Sequence, residues 1–123
     1  MKNESKETDI LYLREMIYYA EKVEERLNTA LRYNIPLDDE MVLDSLVMNI
    51  GQIGEQLDEQ KLSSKIKEKY SSCIPWKEVK NFRNLAYHAY GKINKAEVME
   101  IVKNDIPVLI ENLYFIVRKE LEE

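Results

Sequence analysis

The sequence predicts an all-α protein, an antiparallel helical bundle of four long helices plus one short one. Three observations carry this. Apolar residues recur at steps of three, four and seven along almost the whole chain, and no run alternates as a strand does. Only three Gly and three Pro punctuate 123 residues, too few for a turn-rich β protein. The breaks between helical segments are short, which forces neighbours to pack antiparallel.

In the first segment Ile10, Leu13, Ile17, Ala20, Leu27 and Leu31 form one stripe, and residues 1–8 are expected to fray. The helix should end before Pro36, because the residue preceding a proline is pushed out of the helical region. Asp38 suits the N-cap of a second helix, which continues through Met41 or Val42, Leu43, Leu46, Ile50, Ile53 and Leu57. Gly51 and Gly54 lie inside it; each costs about 1 kcal/mol relative to Ala, and close helix packing is the reason to tolerate them. Ser63 or Ser64 caps a short third helix to about Tyr70. Pro75 fits the first turn of a fourth, where its missing N–H is not needed; Trp76 anchors its start, Val79, Phe82 or Arg83, Ala86 and Tyr90 follow, and Gly91 ends it. Asn94 caps a last long helix, with Glu97 three residues on. Pro107 should kink that helix, because it offers no donor to the carbonyl of Lys103. No linker divides the chain, so residues 1–123 read as a single domain.

Composition narrows the function. The chain opens MKNESKETD, without the apolar core of a secretory signal, and no stretch reaches the roughly 18 apolar residues of a membrane span. Cys73 is the only cysteine, so no intrachain disulfide forms. A cytoplasmic protein with no membrane association is expected. The net charge of −5 argues against a broad electrostatic clamp on nucleic acid. Yet residues 75–95 hold Lys77, Lys80, Arg83, Lys92 and Lys95 against Glu78 alone, a local excess of +4 on a remainder of 13 − 22 = −9. That window is a candidate anion site.

Reactive groups are few. The single His88 and single Cys73 cannot supply the nitrogen and sulfur core of a zinc site, so no metal and no cofactor is expected. There is no phosphate-binding glycine loop and no nucleophile elbow. Cys73 reads as a tolerated thiol. The one chemically loaded string is Pro75–Tyr90, with Arg83, Tyr87 and Tyr90 on one face of an ideal helix and His88 about 140° from Arg83, over Asn84. Taken alone, Arg83 reads as a salt-bridge residue with Glu55 as its candidate partner, and Tyr87 as packing.

The spacing Arg83-x4-His88-x-Tyr90, with polar Asn84 after the arginine, resembles the HepT-like branch of the HEPN superfamily, the toxin half of many prokaryotic two-gene modules. Ile53-Gly54-Glu55, Ile74-Pro75-Trp76 and Ile101–Pro107 are similar to further segments of that family, so the resemblance covers roughly residues 9–120. Ala89 departs from it, standing where many relatives have a polar residue.

The resemblance implies a HEPN-like bundle and metal-independent RNA cleavage within a type VII-like toxin–antitoxin module. Arg83 and His88 would be catalytic, with Asn84 and Tyr90 supporting. A histidine moves protons near neutral pH, and an arginine forks onto phosphate oxygens. Lys77, Lys80 and Lys92 are candidates for RNA-phosphate contact. One histidine per chain implies a homodimer with a composite site. The family also implies a nucleotidyltransferase antitoxin of the MNT type that transfers AMP to Tyr90. The alternative is a non-catalytic HEPN module that binds nucleotide or the transferase.

Overall fold

The protein is described by a computed structural model covering residues 2–87 and 94–123. Helix α1 spans Lys2–Arg32, α2 Glu40–Glu55, α3 Ser64–Lys69, α4 Trp76–Lys80, α5 Asn84–Tyr87, α6 Lys95–Glu100 and α7 Ile106–Glu122. Among the described residues there is no strand, and no helix is long and apolar enough to cross a membrane. The all-α bundle is as the apolar spacing predicts: α1, α2, the 76–87 run and the 95–122 run are its long members, and α3 its short one.

α1 and α7 run antiparallel. Lys6 Nζ donates to the backbone carbonyl of Glu123 at 2.6 Å, and Tyr114 donates its hydroxyl to Glu21 at 3.0 Å. Residues 2–8, expected to fray, form the first turns of α1. Between α1, α2 and α7 sits one core in which Leu13, Met16, Leu46, Ile50, Ile53, Ile106, Leu113 and Ile116 lose all or nearly all exposure. Burying each such side chain contributes about 1.5–3 kcal/mol.

The α1 stripe needs a correction. Ala30 is buried, whereas Leu31 is 56% exposed. Leu31 lies three heptads beyond Ile10, and a straight helix drifts about 20° per heptad, enough to turn Leu31 outward. α1 stops at Arg32. Asn34 takes a left-handed conformation (φ 55°), and the Ile35 amide reaches back to the Ala30 carbonyl at 2.8 Å, so an asparagine cap ends the helix before Pro36 is reached. Asp39, not Asp38, caps α2: its carboxylate accepts from the amides of Met41 and Val42. Met41 is exposed and Val42 is the residue packed on the core. Ser63 caps α3 and is itself held by buried Asp9, which accepts from its amide at 2.9 Å and its hydroxyl at 2.6 Å. Asn94 caps α6 through the Glu97 amide.

Both later helical runs depart from ideal α geometry. The fourth is interrupted by a 3-10 turn at Asn81–Arg83. The last contains a π-helical segment, Ile101–Asp105, closed by the Ile106 amide donating to the Ile101 carbonyl. The irregularity expected at Pro107 is present as this π-helical segment. The distortion is taken up one turn earlier, and the proline sits in the first turn of α7, where a missing N–H costs little.

Candidate functional site

The site is built on the run from Trp76 to Tyr87, which two elements hold in place. α7 fixes its start. Asn112 donates to the Cys73 carbonyl at 3.1 Å, and the Trp76 indole N–H donates to the Tyr70 carbonyl at 3.2 Å. Tyr70 is tied in turn to α7, its hydroxyl donating to the buried carboxylate of Glu120 at 2.6 Å. Lys69 donates to the same carboxylate at 2.8 Å and to Glu123 at 2.5 Å. Burial alone would raise the Glu120 carboxyl; the bonds from Lys69 and Tyr70 outweigh it and leave the group below the ordinary carboxylate range. Burial, then the bond to Glu120, pushes the Tyr70 hydroxyl up to about 12. Trp76 is half-buried at the helix entrance and packs on the core, as expected of an anchor.

α2 fixes the middle of the run. A Cβ placed on Gly54 would lie 2.8 Å from the Arg83 amide nitrogen, 2.9 Å from the Lys80 carbonyl oxygen and 3.0 Å from that of Val79. Only a glycine permits this approach, so the close-packing explanation of Gly54 is correct. The contact lands on the 3-10 turn, where three residues per turn replace 3.6. Spacing measured on an ideal helix therefore does not carry across Asn81–Arg83.

Arg83 is half-buried at the end of the 3-10 turn, and Asn84, also half-buried, opens α5. Glu55 follows Gly54 on α2 and is half-buried. Lys77 is exposed and Lys80 half-buried. His88, Tyr90 and Lys92 lie outside the described residues, as do Ala89 and Gly91.

Sequence spacing missed one cation. Lys67 of α3 lies near enough to Lys80 for the two ammonium groups to repel each other. Burial first, and Lys80 next, lower the Lys67 ammonium from its ordinary value. Its Nζ donates to the Leu57 carbonyl at 2.9 Å. The only signal in the sequence was a lysine in a capped short helix, and nothing local says which helix it faces. Lys95 is exposed and lies 4.0 Å from Asp38. Among the described residues no three His, Cys, Asp or Glu side chains group as metal ligands. Lys67 and Lys80 form a partly desolvated cationic flank, and half-buried Arg83 follows Lys80 by three residues; groups of this kind suit a phosphodiester.

Comparison with known proteins points the same way. The family model described as "Ribonuclease HepT-like" matches residues 16–116, well over half of the chain. A Caldanaerobacter subterraneus subsp. tengcongensis protein named "Putative RNase" is 27% identical over 109 residues, covering 89% of this chain and 94% of that one. Two Methanocaldococcus jannaschii proteins match shorter stretches. One, named "Gamma-glutamylcyclotransferase and putative RNase", is 34% identical over 70 residues, covering 57% of this chain and 30% of its own length. The other, named "Putative RNase", is 29% identical over 75 residues, covering 61% of this chain and 66% of its own. The chain thus spans less than two thirds of two of these relatives. No solved structure matches it.

Proposed function

The chain belongs to the HepT-like ribonuclease family, and from that premise we propose that it is a metal-independent RNA endonuclease whose reacting groups are Arg83 and His88. The observation that carries this is the setting of Arg83: half-buried, and on a tight turn whose backbone is seated against Gly54, three residues after the Lys80 that faces Lys67. The backbone that carries the guanidinium is thereby fixed before substrate arrives, and ordering in advance is what makes charge stabilisation effective in a transition state.

The 2′-oxygen of one ribose attacks the adjacent phosphorus, and the bond from phosphorus to the 5′-oxygen of the next nucleotide breaks. The 2′-proton must be removed and the departing 5′-oxygen must gain one, leaving a cyclic phosphate and a free 5′-hydroxyl. Arg83 stabilises the charge on the crowded phosphorus, Asn84 and Tyr90 orient phosphate or sugar, and His88 moves the proton. One histidine cannot both accept and donate in a single pass, so two copies of the chain meet across a two-fold axis to complete the site. Lys77, Lys80 and Lys92 position the backbone of the RNA without reading its sequence.

Regulation follows the same electrostatics. A nucleotidyltransferase antitoxin of the MNT type transfers AMP from ATP to the Tyr90 oxygen and releases pyrophosphate, as in a type VII-like module. The added phosphate opposes an anionic substrate. An RNA substrate and a single, unbridged Cys73 fit action in the cytoplasm.

The test is incubation of the purified chain with RNA in EDTA. Cleavage yielding 2′,3′-cyclic phosphate ends is expected, abolished by Arg83→Ala or His88→Ala without loss of helicity. The net charge of −5 favours a second reading, a non-catalytic module that binds nucleotide or the transferase. Intact RNA together with tight transferase binding would select it.

A further inference from the structure

The 76–83 run carries opposite charges on its two flanks. Lys80 faces Lys67, while Glu78 lies on the other side, within electrostatic reach of Asp105. On that acidic side a groove separates this run from the π-helical segment and the start of α7. Its deeper half is a cavity of ≈ 180 Å³ floored by Ile74, Val79, Phe82 and Leu109, with Val108 beside them. Its shallower half shares Glu78, Phe82 and Asp105 with the first and continues to Leu85, Glu97 and Glu100. Val108 remains 55% exposed there although its neighbour Leu109 is buried.

Size and charge select the occupant. The deeper half matches one large apolar side chain, the anchor of a protein contact, and the acidic residues beside it oppose the phosphate of a nucleotide. The charged residues lining the groove, Glu78, Glu97, Glu100 and Asp105, are all acidic, with Asn81, Asn104 and Asn112 between them. Burial, then Glu100 and Glu78, raise the Asp105 carboxyl above its ordinary value, so these like charges are already crowded and a cation would relieve them. RNA brings phosphate, which the rim repels. A second copy related by a two-fold axis through the groove would set carboxylates against carboxylates.

We propose that the groove between Glu78 and Asp105 is a docking site for a different protein, which inserts one large apolar side chain beside Val108 and places Lys or Arg residues against the acidic rim. The site is separate from the Lys67–Lys80 flank and does not depend on RNA cleavage.

The test uses the full chain and a fluorescein-labelled synthetic peptide with leucines at helical spacing and lysines between them. Binding read by anisotropy should be saturable and salt-sensitive, and should shift the methyl signals of Val108 and Leu109. A matched peptide with glutamates in place of the lysines should not bind. Val108→Asp should weaken binding about tenfold or more, as loss of a buried anchor does, and Asp105→Asn should weaken it while leaving helicity unchanged. Equal binding of both peptides, no binding of either, binding indifferent to both substitutions, or methyl shifts that leave Val108 and Leu109 unmoved would each overturn the proposal. So would an RNA oligonucleotide, or self-association of the chain, that perturbs the Val108 and Leu109 methyls.

Discussion

Gly54 of α2 faces the backbone amide of Arg83 with no room for a methyl group between them: a Cβ there would sit 2.8 Å from that nitrogen. Three of the atoms crowding the position belong to backbone, so no side chain can rotate away. Gly54→Ala gains helix propensity of about 1 kcal/mol, but the forced separation of α2 from the 79–83 segment costs about 1–3 kcal/mol. The expected result is a net loss in urea unfolding, with RNA cleavage reduced more than stability because Arg83 rides on the displaced turn. Cleavage that survives Gly54→Ala unchanged would separate Arg83's placement from this contact.

That contact also marks where sequence reading stops. The apolar spacing, Ser63 and Asn94 as caps, and Pro75 at the head of α4 are local features, legible because each acts on residues within one helical turn. The 3-10 turn at Asn81–Arg83 lies against α2, which is far away in sequence, and no local pattern marks that contact. The pairing of Lys67 with Lys80 depends on how α3 and α4 are set against each other, and no periodicity encodes that. Asp38 and Asp39 differ in nothing but position, so residue type alone did not choose between them. Charge already placed Arg83 in the cationic window, but only the family resemblance singled out Arg83 and Asn84 as candidate site residues.

The Glu120 cluster predicts a two-sided pH profile. Glu120 is held below the ordinary carboxyl value of 4.5, so its contribution is present above that pH and is lost as pH falls through the folded value. Tyr70 runs the other way. Its hydroxyl is raised from 10.0 to about 12, so its contribution is intact below pH 10 and is lost as pH climbs toward 12. Glu120→Gln should therefore flatten the acid limb of a plot of unfolding free energy against pH. Tyr70→Phe should flatten the alkaline limb and cost about 1.5–3 kcal/mol at neutral pH, the range for a hydrogen bond to a charged group. Parallel profiles for wild type and both variants would rule out a titrating role for the cluster.

The lysines on the cationic flank predict a salt dependence. Each phosphate neutralised on single-stranded RNA contributes about 0.7 to the slope of log K against log salt. Lys80→Ala should lower the slope by about that amount, because its ammonium has no competing bond among the described residues. Lys67→Ala should lower it by less, since that ammonium already donates to Leu57. Filter binding with His88→Ala protein, across a salt series, measures both without cleavage. Slopes unchanged in both variants would remove the two lysines from the RNA contact.

The π-helical segment predicts a coupled pair of changes. Ile101–Asp105 holds one residue more than an α turn needs, and the Ile106 amide reaches Ile101 instead of Val102. Deleting exposed Lys103 lets this stretch close as α-helix while leaving Leu109, Leu113 and Ile116 facing the core. Alone, however, the deletion places Pro107 inside a continuous helix, at a cost of about 3 kcal/mol. Pro107→Ala alone leaves the surplus residue and should change stability little. Combining the two restores a regular helix, so the double variant should recover most of what the deletion loses, an interaction well outside simple additivity. Thermal and urea unfolding of the three variants measure it; additive effects would mean that Pro107 is not what maintains the π turn.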